Sequence, residues 1–105
     1  MDRIKQLISD IGFPFAYHHF SEKKPPPTPY ICYLLPSSNN FSADGRVYYK
    51  KNAVHIELYT DHKDLSAEQK IESALDRCGV FYEKYETWIE SEKLYQTLYI
   101  FEMEV

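Results

Sequence analysis

The stretch Val54-His55-Ile56-Glu57-Leu58-Tyr59-Thr60 (residues 54–60) alternates apolar side chains with polar or amphipathic ones. Successive side chains of a β-strand point to opposite faces, so this alternation predicts a strand with one buried face. Tyr59 falls on the face opposite Ile56 and Leu58, which places a large aromatic ring outside the predicted core. The apolar face of such a strand needs a second layer to cover it.

That second layer is predicted directly downstream, where the chain carries the spacing of an amphipathic helix. Its apolar stripe consists of Ile71, Ala74, Leu75 and Cys78. Ser66 is predicted to cap the helix, with Gln69 three residues later as in a capping box and Leu65 as a hydrophobic staple. Gly79 follows the last apolar residue, where a glycine commonly ends a helix.

A first helix is predicted near the start of the chain by the same spacing, and Gly12 with Pro14 ends it. Its apolar residues are Ile4, Leu7, Ile8 and Ile11. Strands are predicted over residues 13–20, 30–35, 47–50, 54–60, 80–89 and 94–103, with a hairpin around Lys51-Asn52. Loops are predicted over residues 21–29, which are rich in proline, and over residues 36–45, which are rich in turn residues.

The predicted order is α-β-β-β-β-α-β-β, because strands occur in runs between and after two helices. This order is typical of an α+β fold, with a mostly antiparallel sheet and the two helices packed on one face. The chain has 105 residues, of which 44% are hydrophobic and 27% charged. That length and composition favour a single domain over residues 1–105.

The charge balance disfavours several classes of partner. The net charge is −4, and the twelve Lys and Arg residues are spread among sixteen Asp and Glu residues. Tight binding to nucleic acid or to an anionic membrane surface needs clustered cations. The N-terminal residues lack the apolar core of a signal peptide, and no apolar run approaches the length of a membrane span. We therefore expect a protein of the cytoplasm, or of a particle assembled there.

Candidates for catalysis or metal binding are few. No local His or Cys spacing is typical of a zinc site, and His18 and His19 should point to opposite faces if they lie on a strand. Cys78 would sit at the negative end of a helix dipole, which disfavours a thiolate. We predict no enzyme, no cofactor and no metal site. A metal-dependent enzyme using His18, His55 and Cys32 remains a rival hypothesis.

Aromatic residues are the unusual feature of this composition. They make up 16% of the chain and include ten tyrosines, more than one core of this size should bury. Surplus tyrosines either cover a sheet, as their β-propensity allows, or form a protein interface, which is the reading we favour. The loops over residues 21–29 and 37–45 are expected to carry contacts as well. The interface candidates are Pro26, Pro29, Phe41, Tyr48, Tyr59 and Tyr95.

Several segments together resemble a family of minor tail proteins from siphophages and prophages of Gram-positive bacteria. The resemblance runs across nearly the whole chain, without one diagnostic motif, and the family is similar to tail-terminator and head–tail joining proteins. The segments are Ala16-Tyr17-His18-His19-Phe20, Pro29-Tyr30-Ile31-Cys32-Tyr33-Leu34, Asp44-Gly45-Arg46-Val47-Tyr48, Ile56-Glu57-Leu58-Tyr59-Thr60-Asp61 and Trp88-Ile89-Glu90-Ser91-Glu92-Lys93-Leu94-Tyr95-Gln96.

The resemblance implies a structural role in a virion. Such proteins form a ring, typically a hexamer, that caps the head-proximal end of the tail tube or joins the tail to the head. The implied partners are further copies of the chain, the tail tube protein and a head-completion or connector protein. DNA would pass through the ring without being specifically bound. Six copies at −4 each would carry about −24, and a negative channel repels phosphate.

The implied location is the cytoplasm of the bacterial host during assembly, and afterwards the virion tail. The alternative function is a small monomeric adaptor or inhibitor that binds one partner through its Pro-rich loop. Pro26-Pro27-Thr28-Pro29 fits the P-x-x-P pattern that SH3-like domains bind, although this pattern is short and common.

Overall fold

A computed structural model describes residues 3–20, 25–43 and 46–104, and the side chains of residues 39–43 and 46–50 lie outside that description. Two helices and six strands form, in the predicted order α-β-β-β-β-α-β-β. They are α1 (Arg3–Ile11), β1 (Phe15–Tyr17), β2 (Tyr30–Leu34), β3 (Ser38–Ala43), β4 (Arg46–Thr60), α2 (Leu65–Cys78), β5 (Tyr82–Ile89) and β6 (Leu94–Glu104).

The six strands form one sheet in the order β1-β2-β4-β6-β5, and β3 pairs with β4. Strand β1 is parallel to β2, and all other pairs are antiparallel. The predicted α+β fold with a mostly antiparallel sheet is therefore confirmed. Strands β1 and β5 are the two ends of the main strand order, so each has one unpaired edge within the described residues.

Both helices pack on the same face of the sheet, as predicted. The two faces differ because the strands alternate, so every second residue of β4 and β6 points toward the helices. Thr97, Tyr99 and Phe101 of β6 lie opposite Leu58, Ile56 and Val54 of β4 in the ladder. The buried core is completed by Ile4, Leu7, Ile8, Ile11, Ile31, Ala67, Ile71, Ala74, Leu75 and Met103.

The capping of α2 differs from the prediction. Asp64, not Ser66, is the N-cap, and its carboxylate accepts a hydrogen bond of 3.0 Å from the backbone N–H of Ala67. Leu65 is 68% exposed and is the first helical residue, so it does not act as a staple. Gly79 ends the helix in the left-handed conformation, as predicted, and its N–H bonds back to Asp76. Within the described residues, neither helix is long and apolar enough to cross a membrane.

The middle of the chain differs from the predicted secondary structure more than the helix cap does. Residues 36–45 were predicted as a loop, but Ser38–Ala43 form β3, which pairs with the first part of β4. The predicted hairpin around Lys51-Asn52 does not form, because β4 runs unbroken for 15 residues. The pairing of β3 with β4 ends instead at Ala43 and Arg46, and residues 44–45 between them lie outside the described residues; their sequence, Asp-Gly, is a strong turn signal.

Two substitutions test whether Asp64, and not Ser66, caps the start of α2. Asp64→Ala removes the side chain that caps the Ala67 N–H, and should lower the free energy of unfolding by about 1 kcal/mol. Ser66→Ala is the matched control and should change it by less than about 0.5 kcal/mol, because Ser66 lies exposed inside the helix. Urea unfolding followed by circular dichroism measures both, and a larger loss for Ser66→Ala would contradict the assignment.

Candidate interaction surface

The sheet face away from the helices has no second layer of secondary structure among the described residues. We call the outward-pointing residues of β2, β4, β6 and β5 on this side the open face. Most of them are half-buried, while Tyr30 and Cys32 of β2 are buried and Phe20 packs against Tyr30. The open face includes Leu34, His55, Glu57, Tyr59, Leu94, Gln96, Leu98 and Ile100. An uncovered face that is rich in aromatic and aliphatic side chains is typical of a contact surface.

Tyr59, an interface candidate from the sequence, lies on the open face and is held rigidly. Its hydroxyl donates to Oε1 of Glu57 at 3.0 Å and accepts from Nε2 of Gln96 at 2.9 Å. Its ring stacks on Tyr30, with centroids 5.1 Å apart. Burial, with the nearby Glu57 carboxylate, raises the pKa of Tyr59, so the phenol stays neutral. The ring therefore presents a fixed and uncharged surface.

The edge strand β5 concentrates exposed aromatic side chains. Phe81, directly before the strand, is 98% exposed, and Tyr85 and Trp88 within it are 52% and 43% exposed. At the other end of the strand order, Tyr17 of β1 is 51% exposed. Four of the five large apolar side chains that are exposed in the described part of the chain therefore lie on or beside the two edge strands. We call residues 81–89 the β5 edge.

A groove at the end of the sheet lies beside the β5 edge, and its lining joins residues of the open face to Cys78 and Met103 on the helix side. Phe81 and Glu83 line one side, and the residues where β4 leaves the main sheet, Lys51 and Ala53, line the other. Ile100 and Glu102 of β6 lie between them, since β6 pairs with both β4 and β5. The groove thus joins an exposed aromatic residue to the point where β4 projects beyond the sheet.

A network of charged side chains on the opposite face fixes β5 to α2. Glu68 is almost completely buried, and its carboxylate meets Nζ of Lys63 at 2.8 Å and Nζ of Lys84 at 2.7 Å. Lys84, on β5, also reaches Glu72 at 2.7 Å, and Glu72 accepts a hydrogen bond of the same length from the Tyr99 hydroxyl. These contacts hold the edge strand in place although it has only one strand neighbour.

The two lysines determine the ionisation of Glu68. Burial alone would raise the pKa of Glu68, but hydrogen bonds from Lys63 and Lys84 outweigh that effect, and the net pKa is lowered. Hydrogen bonds to Glu68 and Glu86 raise the pKa of Lys63 in turn. The carboxylate is therefore ionised and paired at neutral pH. Removing either partner would leave a poorly solvated charge, which is costly.

The other predicted interface residues are scattered. Pro26 and Pro29 are half-buried in the loop before β2, so this P-x-x-P segment is not freely exposed. Tyr95 lies on the helix side of the sheet and packs against Trp88, with ring centroids 4.8 Å apart. Phe41 and Tyr48 belong by backbone to β3 and β4, and their side chains lie outside the described part.

The residues of the rival metal hypothesis do not form a site. No group of three or more His, Cys, Asp or Glu side chains in the described ranges could hold a metal ion. His18 and His19 were predicted to point apart, but they follow β1 in a bend, and their Nδ1 atoms lie 3.0 Å from each other. Burial and, to a smaller extent, the Glu57 carboxylate raise the pKa of the Cys32 thiol to about 11. A nucleophilic cysteine needs a lowered pKa instead.

Phe81 and Tyr85 are the surface residues that the sequence reasoning missed. A signal was available, because Phe81, Glu83 and Tyr85 share one face of the predicted strand over residues 80–89. The same strand offers its other face to the helices through Tyr82 and Lys84. What the alternation does not reveal is that β5 lies at the edge of the sheet, which is what exposes these rings.

Comparison with known proteins finds the fold in a virion. No protein-family model matches the chain, and no curated protein matches it. A chain in a solved structure described as the virion of native gene transfer agent (GTA) particle has a similar fold, with a TM-score of 0.63. The match covers 99% of this chain and 85% of that chain at 13% sequence identity. At that identity the similarity shows a shared fold.

The charged network makes stability depend on pH. Because the pKa of Glu68 is lower in the folded than in the unfolded chain, its contribution is present above the unfolded pKa of about 4.3 and is lost as the pH falls through the folded pKa. Glu68→Gln should lower the free energy of unfolding by about 2 kcal/mol at pH 7. The difference from wild type should shrink on acidification below about pH 4.5.

Urea unfolding at a series of pH values measures this difference. Glu92→Gln, in the exposed turn between β5 and β6, is the matched control and should stay within about 0.5 kcal/mol of wild type at each pH. A Glu68→Gln variant that matches wild type at pH 7 would show that the network does not stabilise the fold.

Proposed function

We propose that this protein is a virion structural protein that assembles as a ring at the head-proximal end of a phage tail tube, either ending the tube or joining the tail to the head. The observation that carries the proposal is the fold shared over 99% of the chain with a chain of a gene transfer agent virion. The resemblance of the sequence to minor tail proteins of siphophages and prophages points to the same class of function.

The two ends of the sheet suit a closed ring. A ring is built from heterologous contacts, in which one surface of each copy meets a different surface of the next. Among the described residues, the strands at the two ends of the sheet each have one unpaired edge, and both carry exposed aromatic residues such as Tyr17 and Tyr85. Unpaired strand edges are ready to add a further strand. Each copy therefore has two different ends at which a neighbouring copy can add a strand, as a ring requires.

The open face has the charge expected of a channel wall. The outward positions of β2, β6 and β5 carry Glu83, Glu102 and Glu104 and no lysine or arginine. In β4 the outward residues add Glu57 and, where the ladder with β6 ends, the cation Lys51, so acidic residues outnumber basic ones on this face. A sheet that lines the channel with this face would repel DNA phosphates, so that DNA passes without being held. The helices would then lie on the outside of the ring.

The remaining partners would lie at the two ends of such a ring. The tail tube protein would contact one end and the head-completion or connector protein the other, as the resemblance to tail proteins implies. Assembly would take place in the host cytoplasm, and the finished ring would stay in the virion tail. The adaptor alternative gains no support from the loop, because both Pro26 and Pro29 are half-buried.

Deleting the gene from an inducible phage or prophage tests the role in the particle, and electron microscopy of the lysate measures tail length. Overlong tails without heads are expected if the ring ends the tube. Headless tails of normal length would assign the protein to joining instead. Supplying the wild-type gene in trans should restore infectious particles. Normal tails attached to filled heads after deletion would contradict both roles.

A further inference from the structure

We infer that the arm formed by β3 and the first part of β4, residues 38–43 and 46–50, lies along the β5 edge of a second copy of this chain. This inference rests on the proposed ring and names the two surfaces that meet in it. It is supported by three observations: an unpaired edge with exposed aromatic residues, a two-stranded ribbon that extends past the end of the ladder between β4 and β6, and basic residues in that ribbon opposite an acidic residue, Glu83, on the edge.

The β5 edge is the acceptor surface. The strand is hydrogen-bonded only to β6 within the described residues, and its six central residues are all exposed. Phe81 is 98% exposed and follows the glycine that ends α2, so its ring stands free of the core. Glu83 adds an exposed negative charge on the open face, whereas Lys84 and Glu86, on the helix side, are already ion-paired. The surface therefore offers an acidic residue, exposed aromatic rings and backbone groups that are unpaired within the described residues.

The arm is the donor surface. Beyond Lys51, where the ladder between β4 and β6 ends at Glu104, β4 pairs with β3 alone. An isolated two-stranded ribbon is marginally stable in water and needs a third strand or a packing partner. The extents of the protein, 51 × 28 × 25 Å, reflect its elongated shape. An arm of this kind would be stabilised by docking on another copy.

The sequence of the arm complements the β5 edge. Its strands carry the cations Arg46, Lys50 and Lys51 and the aromatic residues Phe41, Tyr48 and Tyr49. They carry no acidic residue, and the one acid in the sequence between them is Asp44. Cations facing Glu83 would favour this pairing, and two arms placed against each other would repel.

The topology allows this contact to repeat. β3 pairs with β4 on the side where β2 lies, while β5 lies at the far side of the sheet, beyond β6. The six residues of β3 can thus extend the eight-residue edge of β5 in the next copy. Each copy donates one arm and accepts another, and this head-to-tail arrangement is the one that closes into a ring.

Charge reversal with rescue tests the pairing. One variant, Arg46→Glu with Lys50→Glu, reverses the charge of the arm. A second, Glu83→Lys with Thr87→Lys, makes the exposed outward side of β5 positively charged. Lys5→Glu and Asp10→Lys on the exposed side of α1 are the matched controls. The purified full-length proteins are compared by analytical ultracentrifugation and mass photometry, with circular dichroism as the check of folding.

Each double variant alone should associate at least tenfold more weakly than wild type, whereas the controls should associate as wild type does. An equimolar mixture of the two variants should regain assembly, because each reversed surface meets a reversed partner and each native surface a native one. Phe81→Ala should weaken association by a similar factor without lowering the melting temperature, since the side chain is 98% exposed.

A wild-type protein that stays monomeric up to about 1 mM would overturn the inference, and so would folded variants that associate like wild type or a mixture that is not rescued. If the arm variant fails to fold, an unchanged association of Phe81→Ala would still overturn it. The gene deletion answers the separate question of function. Abnormal tails after deletion, together with failed rescue, would reject this contact and keep the structural role.

Discussion

Strand β4 carries hydrogen bonds to three other strands, and most of the structure is arranged around it. It pairs with β2 and β3 on one side and with β6 on the other. Its alternate residues Val54, Ile56 and Leu58 are completely buried under the two helices. Because the side chains of a strand alternate, this choice of buried residues also decides that His55, Glu57 and Tyr59 form the open face.

The length of β4 connects the fold to its proposed role. The part from Val54 to Thr60 belongs to the core, and the part before Lys51 has left the main sheet and forms the arm with β3. At the other side of the sheet, β5 is held to α2 by the paired charges around Glu68 and leaves its outer edge unpaired. The same sheet thus supplies a rigid edge and a projecting ribbon, which are the two unlike surfaces that a ring needs.

Much of the fold followed from local patterns, and the errors have a shared cause. Apolar spacing located both helices and the buried face of β4, because burial selects those residues directly. The residues of β3 are polar, and Asn and Ser favour turns by propensity, so the pairing of β3 with β4 was not predictable from its own sequence. Lys51-Asn52 resembled a turn for the same reason, while Asp44-Gly45 is a stronger turn signal.

The interface candidates were predictable only in part. Tyr59 was correctly placed outside the core by alternation, whereas Tyr95 belongs to the helix side of the sheet, beside Trp88. Phe81 and Tyr85 could not be identified as surface residues without the strand order, because exposure at a sheet edge depends on which strands are neighbours. The cap of α2 was misplaced by two residues, since Asp64 and Ser66 are both good capping residues.

Hydrogen–deuterium exchange of the backbone amides, followed by mass spectrometry, tests most directly whether β5 and the arm are edges that become paired in the assembled protein. The same protein is measured at a dilution where it is monomeric and at a concentration where it associates. The account predicts that association slows exchange in residues 38–50 and 82–89 and leaves the helices unchanged. Slowed exchange confined to the helices, with both strand segments still exchanging rapidly, would contradict it.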